Sequence, residues 1–60
     1  MSELLTVPEV AERMRIGRRT VERLIATGDL RSVLIRRRRF VQETELERYV
    51  RLAERRGRVA

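Results

Sequence analysis

Apolar residues near the start of the chain recur at the spacing of a helix face. Four of them predict a helix of about eight residues: Val7, Val10, Ala11 and Met14. Thr6 precedes this segment and Glu9 follows three positions later, which is the spacing of a capping box. Pro8 fits the first turn, where its missing amide hydrogen needs no partner. We therefore expect the first helix to begin after Thr6.

A second apolar stripe with helical spacing follows within ten residues. It consists of Val21, Leu24 and Ile25. Gly17 precedes it as an N-cap or as part of a tight turn, and Gly28 follows where a left-handed residue ends many helices. We expect this helix over Arg18–Thr27. Two helices joined by three to four residues, one of them glycine, are typical of a helix-turn-helix, although any helical hairpin gives the same spacing.

The pattern then changes to that of two short strands. Residues 32–35 are a serine followed by three apolar residues, two of them β-branched, and residues 40–41 follow four consecutive arginines. This order predicts a β-hairpin with arginines at its tip. With Arg37 and Arg38 as the tip, glycine or asparagine would be the usual residues at the required positive φ angles. Arginine at these positions therefore predicts a wider, mobile tip.

That tip fixes the expected pairing of the hairpin. Ile35 would pair with Phe40 and Leu34 with Val41, and cross-strand partners share a face. We therefore expect Val33, Ile35 and Phe40 to face the core. Leu34 and Val41 would lie on the other face and be partly exposed.

The last apolar stripe predicts a third helix that opens at residues 42–45. Its apolar positions are Leu46, Tyr49, Val50 and Ala53. Acidic residues lie in the first turn and arginines at the far end, as the helix dipole favours. Gly57 is expected to end the helix, and residues 57–60 to form a frayed tail. The predicted fold is mostly α with a small β-hairpin, a winged helix-turn-helix of order α-α-β-β-α in one domain over residues 1–60.

Composition narrows the function. The chain has no cysteine and no histidine, which removes thiol chemistry and the usual zinc ligands. It also lacks a glycine-rich phosphate loop, so we expect neither an enzyme nor a cofactor. No apolar run is long enough for a membrane span and no signal peptide is evident, so we expect a cytoplasmic protein with no membrane partner.

The charge is unevenly placed. The net charge is +6, and all of it arises from residues 31–60, because arginines and acids balance over residues 1–30. Residues 31–39 hold five arginines and no acid. A local field of this kind favours a polyanionic partner, here double-stranded DNA.

The polar face of the second helix supplies the first candidate site. It carries Arg18, Arg19, Thr20, Glu22 and Arg23. In a helix-turn-helix the second helix enters the major groove, where arginine donates to guanine and threonine contacts a thymine methyl or a phosphate. Glu22 either accepts from cytosine or pairs with Arg18 or Arg19. The alternative is a solvated polar face with no ligand.

The hairpin supplies the second candidate site, Arg36, Arg37 and Arg38. These side chains can follow phosphates or enter a narrow minor groove. The alternative is a run of charges that keeps an edge strand soluble. Thr6, beside its role as N-cap, is a candidate phosphate contact. Tyr49 is expected to be a core aromatic.

Three segments resemble a known family: Leu4–Ala11, Arg18–Val21 and Leu24–Leu30. They look like the short excisionase-type, MerR-like winged-helix domain over about residues 4–52. The similarity is greatest to the mycobacteriophage Pukovnik-type excisionases, which are recombination directionality factors. The resemblance implies a protein that binds repeated sites beside a phage attachment site, bends the DNA and directs a tyrosine integrase toward excision. It assigns Arg18, Arg19, Thr20 and Arg23 to the major groove, and residues 36–38 to the minor groove or phosphates.

Two positions depart from that family, which often has glycine in place of Arg36 and serine or threonine in place of Gly17. Few residues follow Val50, so the sequence predicts no long dimerising helix, and head-to-tail self-association on DNA is the expected arrangement. Leu34 and Val41 are candidate protein–protein contacts. Two other functions remain open at this stage: a small transcriptional regulator with the same fold, and a protein-interaction adaptor.

Overall fold

The computed structural model describes residues 3–57 and places three helices and three strands there. They follow the order β1 (Leu4–Thr6), α1 (Val7–Met14), α2 (Arg18–Thr27), β2 (Val33–Ile35), β3 (Arg38–Gln42) and α3 (Glu43–Arg56). The predicted helices and hairpin are confirmed, and with them the winged helix-turn-helix architecture. Gly57 ends α3 with a φ of 74°. The rest of the predicted tail, residues 58–60, lies outside the described residues.

The start of α1 is fixed by its own side chains. The Thr6 amide donates to Glu9 Oε1 at 2.8 Å, and the Glu9 amide donates to Thr6 Oγ1 at 3.3 Å. This is the predicted capping box. At the other end Arg15 takes a left-handed conformation with φ 58°, and the Ile16 amide donates to the Ala11 carbonyl at 3.1 Å. The chain therefore reverses within three residues and starts α2 at Arg18.

β1 is a strand that the sequence pattern did not predict. The sheet is antiparallel with the order β1-β3-β2, and Leu5 of β1 pairs with Val41 of the central strand. Three residues are too few for a visible alternation, and their partners lie more than thirty residues away. β1 ends at Thr6, so the sheet holds the point from which α1 starts.

The hairpin register differs from the predicted one. Its tip is Arg36 and Arg37, and Leu34 pairs with Arg39 instead of Val41. The tip residues have φ angles of 49° and 67°, so the connection is a two-residue turn and not the predicted wider tip. Arginine therefore adopts the backbone conformation that glycine or asparagine usually supplies.

The predicted faces of the hairpin are wrong as well. Val41 is fully buried because it pairs with Leu5 on the core side of the sheet. Val33 and Ile35 lie on the opposite face and are 37% and 42% exposed, while Phe40 is half-buried. The side chain of Val41 is therefore not available for contact with a second molecule. Leu34 is 58% exposed and stays a predicted contact.

One apolar cluster joins the helices to the sheet. Its buried members are Leu5, Val10, Ala11, Val21, Leu24, Leu30, Val41, Leu46 and Tyr49. Leu30 enters the cluster directly after α2, where its amide donates to the Leu24 carbonyl at 3.1 Å. The predicted core position of Tyr49 is confirmed, with 9% exposure. Among residues 3–57 no helix has the length and apolar character to cross a membrane.

Candidate DNA-binding surface

The exposed side of α2 is a compact polar face, which we call the recognition face. Its members are the predicted residues Arg18, Arg19, Thr20, Glu22 and Arg23. Thr20 is half-buried and the other four are exposed. On the opposite side Val21 and Leu24 are buried in the core, so packing fixes which way the recognition face points. Gly17 caps α2 without a side-chain hydrogen bond, which leaves the positive end of the helix dipole open to an anion.

The sequence left open whether Glu22 forms an ion pair with Arg18 or Arg19 instead of contacting a base. In the described part of the chain, ion pairs involve only the cations Arg13 and Arg48. Glu22 therefore makes no ion pair with Arg18 or Arg19 in this structure. The arginines of the recognition face keep their donors for an external acceptor.

The hairpin tip concentrates positive charge and backbone strain in the same two residues. Arg36 and Arg37 are exposed, and both have positive φ. Left-handed backbone costs a residue other than glycine about 1 kcal/mol. Arg38 is also exposed and pairs across the hairpin with Ile35. A strained, highly charged turn is a typical property of a binding element.

Arg39 is a candidate residue that sequence reasoning missed. It lies opposite α2, across a groove of about 270 Å³. The groove is lined by Val7, Glu22, Ile25, Ala26 and Arg39. Its Nη1 donates to Ser32 Oγ at 3.2 Å, which steadies the base of the hairpin. Alternation along β3 gives Arg39 the same side as Val41, the side on which the helices pack. Arg39 was missed because the face of Val33, Ile35 and Phe40 was expected to lie against the core, which put Arg39 on the outer side.

The recognition face and the hairpin tip are the two elements on which helix-turn-helix proteins with a wing rely. A family model of the helix-turn-helix domain matches residues 4–51. This chain belongs to the helix-turn-helix domain family. The family includes excisionase-like DNA-binding proteins, and membership supports DNA binding by this chain. Neither the search of curated proteins nor the search of solved structures found a significant match.

The amino end of α1 in this helix-turn-helix carries the candidate phosphate contact. Thr6 is the N-cap, but its partner Glu9 places a carboxylate at the same helix end. The amide and hydroxyl of Thr6 hold the pKa of Glu9 below its usual range, so the carboxylate is negatively charged at neutral pH. That charge opposes a phosphate beside Thr6. The phosphate contact therefore stays a prediction.

The segment that leads from the helix-turn-helix into the hairpin is tied to α3 by Glu45. Its carboxylate accepts from Arg48 Nε at 2.8 Å, from Arg48 Nη2 at 2.7 Å and from the Arg31 amide at 2.9 Å. The Arg48 guanidinium, together with the Arg31 amide, lowers the pKa of Glu45. A second tie, from Arg13 to Glu43 at 2.9 Å, joins α1 to the start of α3. These contacts link the α2–β2 connection and α1 to α3.

Proposed function

We propose that this protein is an excisionase-type architectural factor that binds repeated DNA sites, bends the duplex and directs a tyrosine integrase toward prophage excision. The observation that carries the proposal is the placement of two arginine-bearing elements, the recognition face and the hairpin. They flank one groove, and in the described part of the chain neither forms an ion pair. Family membership adds support, since the family includes excisionase-like proteins.

The major groove suits α2. An α-helix fits this groove, and residues near the amino end of a recognition helix contact base edges. Arg18, Arg19 and Arg23 supply the bidentate donors that match guanine, and Glu22 supplies an acceptor for cytosine. We propose that the recognition face determines sequence preference.

The adjacent minor groove or its phosphates suit the hairpin tip. Arginine is attracted to the strong negative potential of a narrow minor groove. A small protein that holds a helix in one groove and a tip in the next favours a duplex bent toward it. We propose that Arg36, Arg37 and Arg38 supply the part of the DNA affinity that does not depend on sequence. Arg39 adds to this affinity from the side of the hairpin that faces α2.

Repeated sites would place copies side by side, and a recombinase would then contact the assembled array. Self-association is proposed to run head to tail, with the exposed Leu34 at the contact. A transcriptional regulator of the same fold would share the DNA contacts but would need neither bending nor an integrase. The experiments below separate the two.

The first experiment measures DNA binding itself. Selection from random duplexes, followed by footprinting on the selected sequence, should give a short protected site. Binding to repeated copies of this site should be cooperative. If about five phosphates are neutralised, log K should fall with log salt with a slope of about −4 to −5. An affinity that does not depend on salt would contradict DNA binding and favour an adaptor role.

The second experiment measures the architectural role. A circular-permutation mobility assay should report a bend, and addition of the protein to a tyrosine integrase from the same genome should raise excision and lower integration. Arg36→Ala/Arg37→Ala should reduce the bend, while the exposed control Arg55→Ala, in the last turn of α3, should not. Tight binding without a bend or an effect on recombination would favour the regulator.

A further inference from the structure

A second groove among the described residues lies away from the recognition face. It is a groove of about 470 Å³ between the end of α2 and the second half of α3. We call it the distal groove, and its lining residues are Gly28, Asp29, Arg31, Arg48, Tyr49, Leu52, Ala53 and Arg56. Its volume falls within the roughly 300–1,000 Å³ that is typical of ligand pockets.

One wall of the distal groove is a single stripe of α3. Tyr49, Leu52, Ala53 and Arg56 are spaced three and four residues apart, so they share one helix face. Ala53 is buried, whereas Leu52 is 37% exposed. An exposed leucine beside an aromatic ring, at the edge of a cavity, is suited to hold one apolar side chain.

The charge of the distal groove is positive. Three arginines line it against the single carboxylate of Asp29, which is engaged by the Thr27 hydroxyl at 2.9 Å. Arg48 is fixed in place by Glu45. Within residues 3–57 the guanidinium groups of Arg31 and Arg56 have no ion-pair partner. They are therefore available to bind carboxylates at the rim.

The distal groove shares no residue with the recognition face or the hairpin tip. It adjoins Gly28 at the far end of α2, about 15 Å along the helix axis from Arg18. A ligand bound there does not compete with DNA for any of the same side chains. Mutations can therefore separate the two sites.

We infer that the distal groove binds an acidic segment of another protein, with one apolar side chain seated on Leu52 and Tyr49 and flanking carboxylates paired with Arg31 and Arg56. The charge complementarity and the exposed leucine favour this occupant over nucleic acid, since Leu52 and Asp29 offer nothing to a phosphate. The inference does not depend on the proposed excisionase role. DNA binding and acidic-segment binding would make the chain a bridge between a duplex and a partner protein.

The test uses the full chain and a fluorescein-labelled eight-residue peptide in which glutamate and aspartate surround two leucines. Fluorescence anisotropy near 0.15 M salt should show saturable binding. Arg31→Glu and Arg56→Glu should each weaken it about tenfold. The matched control Arg51→Glu makes the same charge change on an exposed residue of α3 outside the groove, and should weaken it less than about twofold.

A second pair of variants tests the apolar seat. Leu52→Ser should weaken peptide binding about fivefold, whereas Leu4→Ser, on a leucine of similar exposure in β1, should have no effect. The peptide with glutamine and asparagine in place of its acids should not bind. Circular dichroism of each variant verifies that it is folded.

Three results would overturn the inference: no saturable binding of the peptide, equal loss in Arg51→Glu and Arg56→Glu, or equal binding of the neutral peptide. A further arm adds saturating duplex DNA. Retention of the peptide supports two separate sites. If DNA displaces the peptide and the displacement requires Arg31 and Arg56, the distal groove binds nucleic acid. That result would overturn the inference and leave the proposed DNA-binding role in place.

Discussion

The recognition face and the hairpin both present arginines, yet they are held in different ways. α2 buries Val21 and Leu24 beneath its polar face, and its described residues have ordinary helical backbone. In β2, by contrast, all three side chains are at least 37% exposed, and the tip that follows it carries two left-handed arginines. The difference teaches that core packing fixes the element proposed to contact bases, while the tip proposed to contact the backbone is held through the backbone pairing of β2 with β3.

The largest expected effect comes from the packing side of this comparison. Leu24→Ala should lower the free energy of unfolding by about 3 kcal/mol, because Leu24 is 3% exposed in the core. The matched variant Leu34→Ala removes the same atoms from a side chain that is 58% exposed, and should cost less than about 1 kcal/mol. Urea denaturation measures both. Equal losses would mean that the hairpin is packed as firmly as α2.

The next effect separates the two elements by their roles on DNA. Arg19→Ala or Arg23→Ala should cost about 1–3 kcal/mol of binding free energy and relax the sequence preference, because a bidentate contact to a base would be lost. Arg37→Ala should weaken binding to all DNA sequences by a similar factor, and should reduce the slope of log K against log salt by about 1. Binding titrations on the selected site and on single-base variants measure these effects. A change of preference in Arg37→Ala would place a base contact in the hairpin.

A change at the tip should move stability and DNA binding in opposite directions. Arg36→Asn/Arg37→Gly replaces two strained residues by those that favour positive φ, and should raise the free energy of unfolding by about 1 kcal/mol. The loss of two cations should at the same time weaken DNA binding and reduce the salt slope by about 2. Arg38→Gly is the matched control, since Arg38 lies in β3 without positive φ, and it should lower stability. If the double variant were less stable, the tip would not store strain.

The smallest effect concerns Glu45, which ties the base of the hairpin to α3. Its pKa is lowered in the folded protein, so its contribution to stability is full above the ordinary value of 4.5 and is lost as the pH falls through the lowered folded value. Glu45→Gln should cost about 1 kcal/mol at pH 7 and flatten the loss of stability in acid. The exposed neighbour Glu47 is the control, and Glu47→Gln should change the free energy of unfolding at pH 7 by less than about 0.5 kcal/mol. Thermal melts from about pH 3 to about pH 7, a range that spans the titration of carboxylates, measure the difference.

Local signals were sufficient for the helices. The Thr6–Glu9 capping box and the glycines at 17, 28 and 57 are signals that act within a few residues, and the helix boundaries followed from them. The recognition face was predicted for the same reason, since it is the complement of the apolar stripe. Its contacts with DNA remain predictions.

Long-range pairing was what the sequence pattern did not reveal. β1 and the burial of Val41 depend on each other, because Leu5 and Val41 are partners across the sheet. The hairpin register was predicted from a tip at Arg37 and Arg38, whereas the tip is formed by Arg36 and Arg37. The wider tip was predicted because arginine seldom has a positive φ, yet both tip residues have one. Arg39 was missed for another reason: Val41, which shares its face of β3, was expected on the outer side of the sheet but is buried in the core.

The pairing of β1 with β3 has a consequence for synthesis of the chain. Leu5 leaves the ribosome early but finds its partner only after residue 41 has been made, so the sheet that anchors α1 is assembled late. α2 depends on the same core, which Val41 helps to close. A nascent chain that stops short of β3 therefore exposes apolar helix faces and lacks the hairpin as well. The two DNA-facing elements mature together, and no folded half-product that carries only one of them is expected.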